Sequence, residues 1–258
     1  MRVGSTRSIT RYLLLALIGL LGLDVVFSSA AEADESKDIH FLTGDGIRIA
    51  ASVSIPDSES DELAAVIFIH QGGSSREEWT SLPIFRQITE QGMYALAYDV
   101  RGHGESAGEA DFSTLFDDPE QAPRDMAGAI DWLRQTGRVD MSRVAVVGAS
   151  IGANLACVAV GSPDFKIKTA VAMSGKVSAV YNLAGGRERL SNLHSLFLIA
   201  SEFEQDGKRA AWASELYELT NGPRQLEIVG GSSGHGVSVF DSDPELQQRI
   251  LEWLLRTL

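Results

Sequence analysis

Past residue 38 the chain alternates short apolar runs with amphipathic stretches. Residues 64–69 are apolar without interruption, the pattern of a strand buried on both faces. Residues 93–98, 144–147, 169–173, 196–200 and 226–229 repeat that pattern. Ahead of them, 39–43 and 47–55 flank Gly44-Asp45-Gly46, a hairpin signal. Between the apolar runs, 77–90 reads as a helix despite Pro83. Residues 124–135 carry Met126, Ile130 and Leu133 at helical spacing, and 153–160 is apolar enough for a fully buried helix. Residues 208–219 and 245–258 complete the set, with Ile250, Trp253 and Leu254 on one face of the last. Strands alternating with helices predict an α/β fold: a mostly parallel central sheet of about eight strands with helices on both faces. The longest irregular stretch is 104–120.

The first residues do not belong to that rhythm. A basic leader (residues 2–11) precedes twelve apolar residues, 12–23, and small residues follow. Ala31-Glu32-Ala33 and Ser28-Ser29-Ala30 are both cleavage candidates, which completes the order of a secretory signal peptide. Twelve residues fall short of the roughly 20 that span a bilayer, and Asp24 interrupts any extension through Val25, Val26 and Phe27. The expectation is a signal peptide over 1–33, cleaved near 30–33, and a secreted or periplasmic single domain over 34–258 with no stable membrane span after cleavage. An uncleaved N-terminal anchor is the alternative.

Composition narrows the function. The 258 residues carry a formal net charge of −13, with 44% hydrophobic and 22% charged residues, an ordinary globular balance. Arg2, Arg7 and Arg11 outnumber Asp24 and Glu32 by one in the leader, so the remainder is at −14. Such a surface repels phosphate backbones, and nucleic acid is not an expected partner. The one cysteine, Cys157, excludes an intrachain disulfide and a cysteine-built zinc site. No nucleotide fingerprint or metal-spaced cluster appears, so neither cofactor nor metal is expected.

The chemistry starts at Gly148-Ala149-Ser150-Ile151-Gly152. It follows an apolar strand run and precedes a buried helix, the strand–turn–helix setting that gives G-x-S-x-G its meaning. Flanking glycines allow the sharp turn, and Ser150 stands at a helix N-terminus as candidate nucleophile. A serine needs a base. Of five histidines, His235 sits in the glycine-rich 230–236 loop after the last predicted strand, where α/β folds place reactive side chains. His40 and His194 read as structural or surface residues, and His70 as a loop support. The third member should follow a strand between serine and histidine. Glu204 and Asp206 both qualify after 196–201, with Glu202 nearer the strand. Oxyanion donors are expected from the N–H of Gln71 or Gly72, after strand 64–69, with that of Ile151.

These residues resemble an α/β-hydrolase, and within that group the dienelactone-hydrolase-type small esterases. The match is carried by His70-Gln71-Gly72-Gly73, the 99–106 segment Asp-Val-Arg-Gly-His-Gly-Glu-Ser, Gly148–Gly152 and Gly234-His235-Gly236. The resemblance implies that 99–106 is an architectural turn, so His103 is not read as catalytic. Dienelactone hydrolases proper use a cysteine where this chain has Ser150, and the acid lacks a Gly-x-x-Asp setting.

Only residues 175–195 separate the sixth and seventh predicted strands, too few for a large lid. Tyr181, Leu183 and Leu190 are read as either pocket walls or packing residues, with Phe112 and Phe116 covering the site from the other side. The expected activity is hydrolysis of carboxylic esters of a small acyl substrate through a Ser-His-acid triad. A peptidase or amidase on the same site, and a non-catalytic hydrolase-like binding protein of the envelope, are the rivals.

Overall fold

The computed structural model describes residues 36–258 apart from 110, 112 and 191. The leader and Phe112 therefore lie outside the described residues. Eight strands form one sheet: β1 (Lys37–Leu42), β2 (Arg48–Ser54), β3 (Leu63–Ile69), β4 (Tyr94–Tyr98), β5 (Val139–Ala149), β6 (Thr169–Met173), β7 (His194–Ser201) and β8 (Asn221–Val229). Their order is β1-β2-β4-β3-β5-β6-β7-β8. β2 runs antiparallel to both its neighbours, and every pair from β4 onward is parallel.

The apolar run of β3 explains its central place. Side chains alternate across a strand, so Ala65, Ile67 and Ile69 enter one core while Ala64, Val66 and Phe68 enter the other. The first core is closed by α4 (Ala122–Gln135), α5 (Ile151–Gly161), α6 (Val177–Leu183) and α7 (Lys208–Leu219). The second is closed by α1 (Glu77–Thr80), α2 (Pro83–Glu90) and α8 (Leu246–Thr257). The remaining short helix, α3 (Thr114–Asp117), buries Leu115 in the first core. β8 carries Pro223, whose missing N–H is tolerated because β8 is an edge strand.

One expectation is corrected. The single helix over 77–90 is two, because Pro83 cannot continue a helix and instead occupies the first turn of a new one. Of the two roles left open for Tyr181, Leu183 and Leu190 in the 175–195 connection, the structure gives packing. The connection holds α6, whose Val177, Val180 and Leu183 are core residues, while Tyr181 and Leu190 pack half-buried against the same core. The segment thus lies on the domain and does not stand over the sheet as a lid. Among the described residues no helix is long and apolar enough to cross a membrane.

The 99–106 turn is architectural, as the resemblance implies. Buried Asp99 accepts the Arg76 N–H (2.6 Å), Arg76 Nη1 (2.5 Å) and the Glu105 N–H (2.9 Å). A β-carbon on Gly104 would fall 2.2 Å from Asp99 Oδ2, so that carboxylate dictates the glycine.

Candidate active site

Ser150 closes β5 and opens α5 with φ 53° and ψ −104°. That conformation costs a non-glycine residue on the order of 1–3 kcal/mol and persists only where the surroundings over-determine it. The surroundings here are two glycines. A β-carbon on Gly148 would stand 2.0 Å from the Gly152 carbonyl oxygen, and one on Gly152 would stand 2.1 Å from that of Ile69. Both obstacles are backbone and cannot swing away. Gly152→Ala is therefore expected to cost about 1–3 kcal/mol or more and lower the melting temperature by several degrees, whereas Gly44→Ala, which meets nothing within 4 Å, leaves it unchanged. Differential scanning calorimetry on the pair reads this directly. The Ser150 N–H donates to Met173 O (2.8 Å), which pins the turn to β6. Among the described residues the Ser150 hydroxyl makes no hydrogen bond to the protein and does not cap α5.

His235 arrives from the loop after β8, which is tied to the loop after β7 by several bonds. Phe203 N–H donates to Ser232 O (2.9 Å), Gly231 N–H to Glu202 Oε2 (2.8 Å), and Ser201 Oγ to Gly234 O (2.7 Å). Glu202, the acid nearest the strand, is thus a loop tether. These ties bring His235 Nδ1 to 2.5 Å from Glu204 Oε1. Asp206 is exposed and, among the described residues, its side chain makes no hydrogen bond or ion pair with His235. Of the two acids left open by the sequence, Glu204 is the one on the imidazole; Asp206 stands in the turn ahead of α7. A β-carbon on Gly236 would lie 3.2 Å from the Ala149 Cβ, so the residue after the histidine packs on the residue before the serine.

Glu204 is buried and its carboxylate is held from several sides. Ser174 Oγ donates to Oε2 (2.7 Å), and Arg209 Nε makes an ion pair with Oε1 at 3.2 Å. Ser174 Oγ in turn accepts the Gly236 N–H (3.0 Å), and the Ser174 carbonyl accepts Arg209 Nη1 (2.7 Å). Neither Ser174 nor Arg209 was among the expected site residues. Each left a signal. Ser174-Gly175 directly follows an apolar strand run at the same sheet edge as Ser150. Lys208 and Arg209 place two cations in the first turn of a helix, against the macrodipole, which calls for a local carboxylate.

The expected oxyanion loop needs one correction. The Gln71 N–H is taken by Glu78 Oε2 (2.9 Å), a carboxylate that the short helix α1 folds back onto the loop. Burial pushes the Glu78 carboxyl up, against the pull of that N–H and of nearby His235. The N–H groups of Gly72 and Ile151 make no hydrogen bond to the protein among the described residues. His70 holds this loop. Its Nε2 accepts the Val100 N–H (2.9 Å), which leaves the proton on Nδ1 to meet Gln71 O (2.7 Å). Burial lowers its pKa to about 4, so it is a neutral strut. Cys157 is buried in α5 with its thiol pushed up to about 12 by desolvation, a packing residue and no nucleophile. Beside Glu204 a cavity of about 340 Å³ opens, lined by Phe116, Asp117, Lys176, Gln205, Arg209 and Trp212.

The family model described as X-Pro dipeptidyl-peptidase (S15 family) matches residues 45–218, more than half the chain. The chain belongs to the S15 family. The matched segment contains Ser150 and Glu204 and ends before His235. This S15 member is 29% identical over 136 residues to the uncharacterized protein YcjY of Escherichia coli (strain K12), covering 52% of the chain and 42% of that protein. It thus spans less than half the length of the curated relatives it matches. Among solved structures it is similar to the esterase Pf2001 of Pyrococcus furiosus, with TM-score 0.66, 23% identity, and coverage of 86% of this chain and 93% of that one. Dipeptidyl peptidase 4 of Porphyromonas gingivalis superposes with TM-score 0.64 and 16% identity over 86% of this chain and 35% of its own. These likenesses, with the strand order above, make the S15 chain an α/β hydrolase in fold. They do not single out the dienelactone-hydrolase subgroup.

Proposed function

We propose that this S15-family chain is a serine hydrolase that cleaves carboxylic esters, with Ser150, His235 and Glu204 as its triad. The observation that carries the reading is the contact of His235 Nδ1 with Glu204 Oε1, on a histidine whose loop packs against the strained elbow of Ser150. In this reading Ser150 Oγ attacks the carbonyl carbon and His235 Nε2 takes its proton. Negative charge develops on the carbonyl oxygen, and the N–H groups of Gly72 and Ile151, at the positive end of α5, are its donors. Collapse expels the alcohol, which takes the proton from Nε2. His235 then deprotonates water, which attacks the acyl-enzyme and releases the acid. Glu204 keeps the Nδ1–H tautomer throughout. The serine–histidine bond closes as substrate binds, as is common for such contacts. Among the described residues no segment stands over the sheet as a lid, which suits small or flexible acyl groups, and the basic-then-apolar leader supports an activity outside the cytoplasm.

The S15 match favours a second reading, cleavage after an X-Pro dipeptide. Its amine leaving group must be protonated as it departs, which the same His235 performs. Turnover of p-nitrophenyl acetate and of Gly-Pro-p-nitroanilide separates the two. The ester reading expects the ester to be cleaved and the anilide to be turned over far more slowly. The reverse order assigns a peptidase. A folded protein whose Ser150 takes no label from a fluorophosphonate probe is a binding module, and both enzymatic readings then fail.

A further inference from the structure

The triad acid of this chain has an unusual companion. Arg209 is buried, with its side chain only 7% exposed, and it spends its charge on Glu204. Its Nε lies 3.2 Å from Glu204 Oε1, the oxygen that His235 Nδ1 touches at 2.5 Å. The two nitrogens are therefore no farther apart than those contacts laid end to end. Its Nη1 donates to the Ser174 carbonyl, while the Ser174 hydroxyl donates to the other Glu204 oxygen and accepts the N–H of Gly236. Arg209, Ser174, Glu204 and the His235–Gly236 segment form a closed ring of polar contacts. The Trp212 ring beneath the guanidinium, 5.2 Å from Cζ to centroid, holds the cation from its own helix.

We propose that Arg209 is a positioning residue of the triad: acting through Glu204, it holds the carboxylate on His235 and sets the acid limit of activity. The proposal rests on the triad reading above. The physical need follows from the residue type. A glutamate has one more side-chain torsion than an aspartate, and each free rotor must be ordered before it can orient an imidazole. Ser174 fixes one oxygen by a hydrogen bond, and Arg209 holds the other by charge, its Nε making no hydrogen bond among the described residues. The charge has a second effect. Arginine stays protonated at every working pH, and a fixed cation this near opposes the arrival of a second positive charge beside it. Among the described residues the charged groups that face the Glu204–His235 pair are Arg209 from α7 and Glu78 from α1, whose carboxylate is near enough to interact with His235. Glu78 acts in the opposite sense, so Arg209 is the cation that offsets it.

The test is the pH dependence of kcat/KM for p-nitrophenyl acetate in Arg209→Met and Arg209→Lys, with circular dichroism to verify folding. Removing the cation favours proton uptake, so the acid limb of Arg209→Met should move up by about one pH unit. On the limb that is about tenfold less activity, beyond any loss on the alkaline plateau. The loss should fall on kcat, with KM little changed. Arg209→Lys keeps the charge and should return the limb toward its original place. Should Arg209→Met fail to fold, Arg209→Gln keeps an N–H for the Ser174 carbonyl and carries the same expectation. A uniform fall at every pH with the limb unmoved, or no change at all, overturns the proposal. A wild-type activity that survives Ser150→Ala overturns the triad reading instead, so the two failures are told apart.

Discussion

Ser150→Ala is expected to lower kcat by about 10⁴–10⁶-fold while the protein folds and melts as before. Both halves of that outcome follow from the elbow. The hydroxyl makes no hydrogen bond to the protein and does not cap α5, so deleting it removes no structural contact and should shift stability by no more than about 0.5 kcal/mol. The unfavourable backbone conformation belongs to any β-carbon at this position and is common to serine and alanine. A serine hydroxyl held in a strained turn without a hydrogen bond to the protein is what the proposed nucleophilic role requires. Steady-state kinetics with p-nitrophenyl acetate, together with a melting curve, checks both halves. Ester hydrolysis that persists at the wild-type rate would remove Ser150 from the mechanism.

Glu204→Gln is expected to lower kcat by about 10³–10⁴-fold and to destabilise the fold, whereas Asp206→Asn does neither. The amide cannot carry the charge that stabilises the imidazolium, which is the main contribution of the third triad member. It also strips Arg209 of its counter-ion. Leaving one partner of a buried pair uncompensated costs about 3–5 kcal/mol, so the melting temperature falls together with the rate. Asp206 is exposed in a turn, and a change there meets only solvent. Kinetics and calorimetry on the two variants decide the acid: loss of activity in Asp206→Asn with Glu204→Gln intact would reverse the assignment.

The strands and most helices were legible because periodicity reports burial. The six apolar runs at 64–69, 93–98, 144–147, 169–173, 196–200 and 226–229 all fall within strands of the sheet, except that Met93 directly precedes β4. Helix 77–90 was read through Pro83 because its apolar spacing continues across the break: Trp79 and Ile84, on either side of it, enter the same core. Helix α6 was missed because it is short and flanked by glycines at 175, 185 and 186, a composition that reads as loop.

The local parts of the site were legible for the same reason. Ser150 lies in a five-residue motif whose glycines are dictated by backbone atoms at 2.0 and 2.1 Å, a constraint written into adjacent positions. His235 lies in a glycine-rich loop whose position after the last strand marks it. Both are properties of neighbours in the chain, and the sequence by itself determined them along with the α/β architecture. The choice between Glu204 and Asp206, the diversion of the Gln71 N–H to Glu78, and the places of Ser174 and Arg209 were decided by tertiary structure alone. Apart from the Gln71–Glu78 bond, which α1 makes within the connection after β3, each depends on which side chains meet when the carboxyl ends of β6, β7 and β8 converge. Two acids two residues apart have nearly the same composition around them, but only one of their carboxylates reaches across a loop tied by Ser201, Glu202 and Phe203 to the histidine. Contacts such as His235–Glu204 and Ser174–Arg209, between segments thirty or more residues apart, and side-chain bonds such as Gln71–Glu78 within one loop carry no periodic signature, because sequence pattern encodes which face of an element is buried and not what that face will touch.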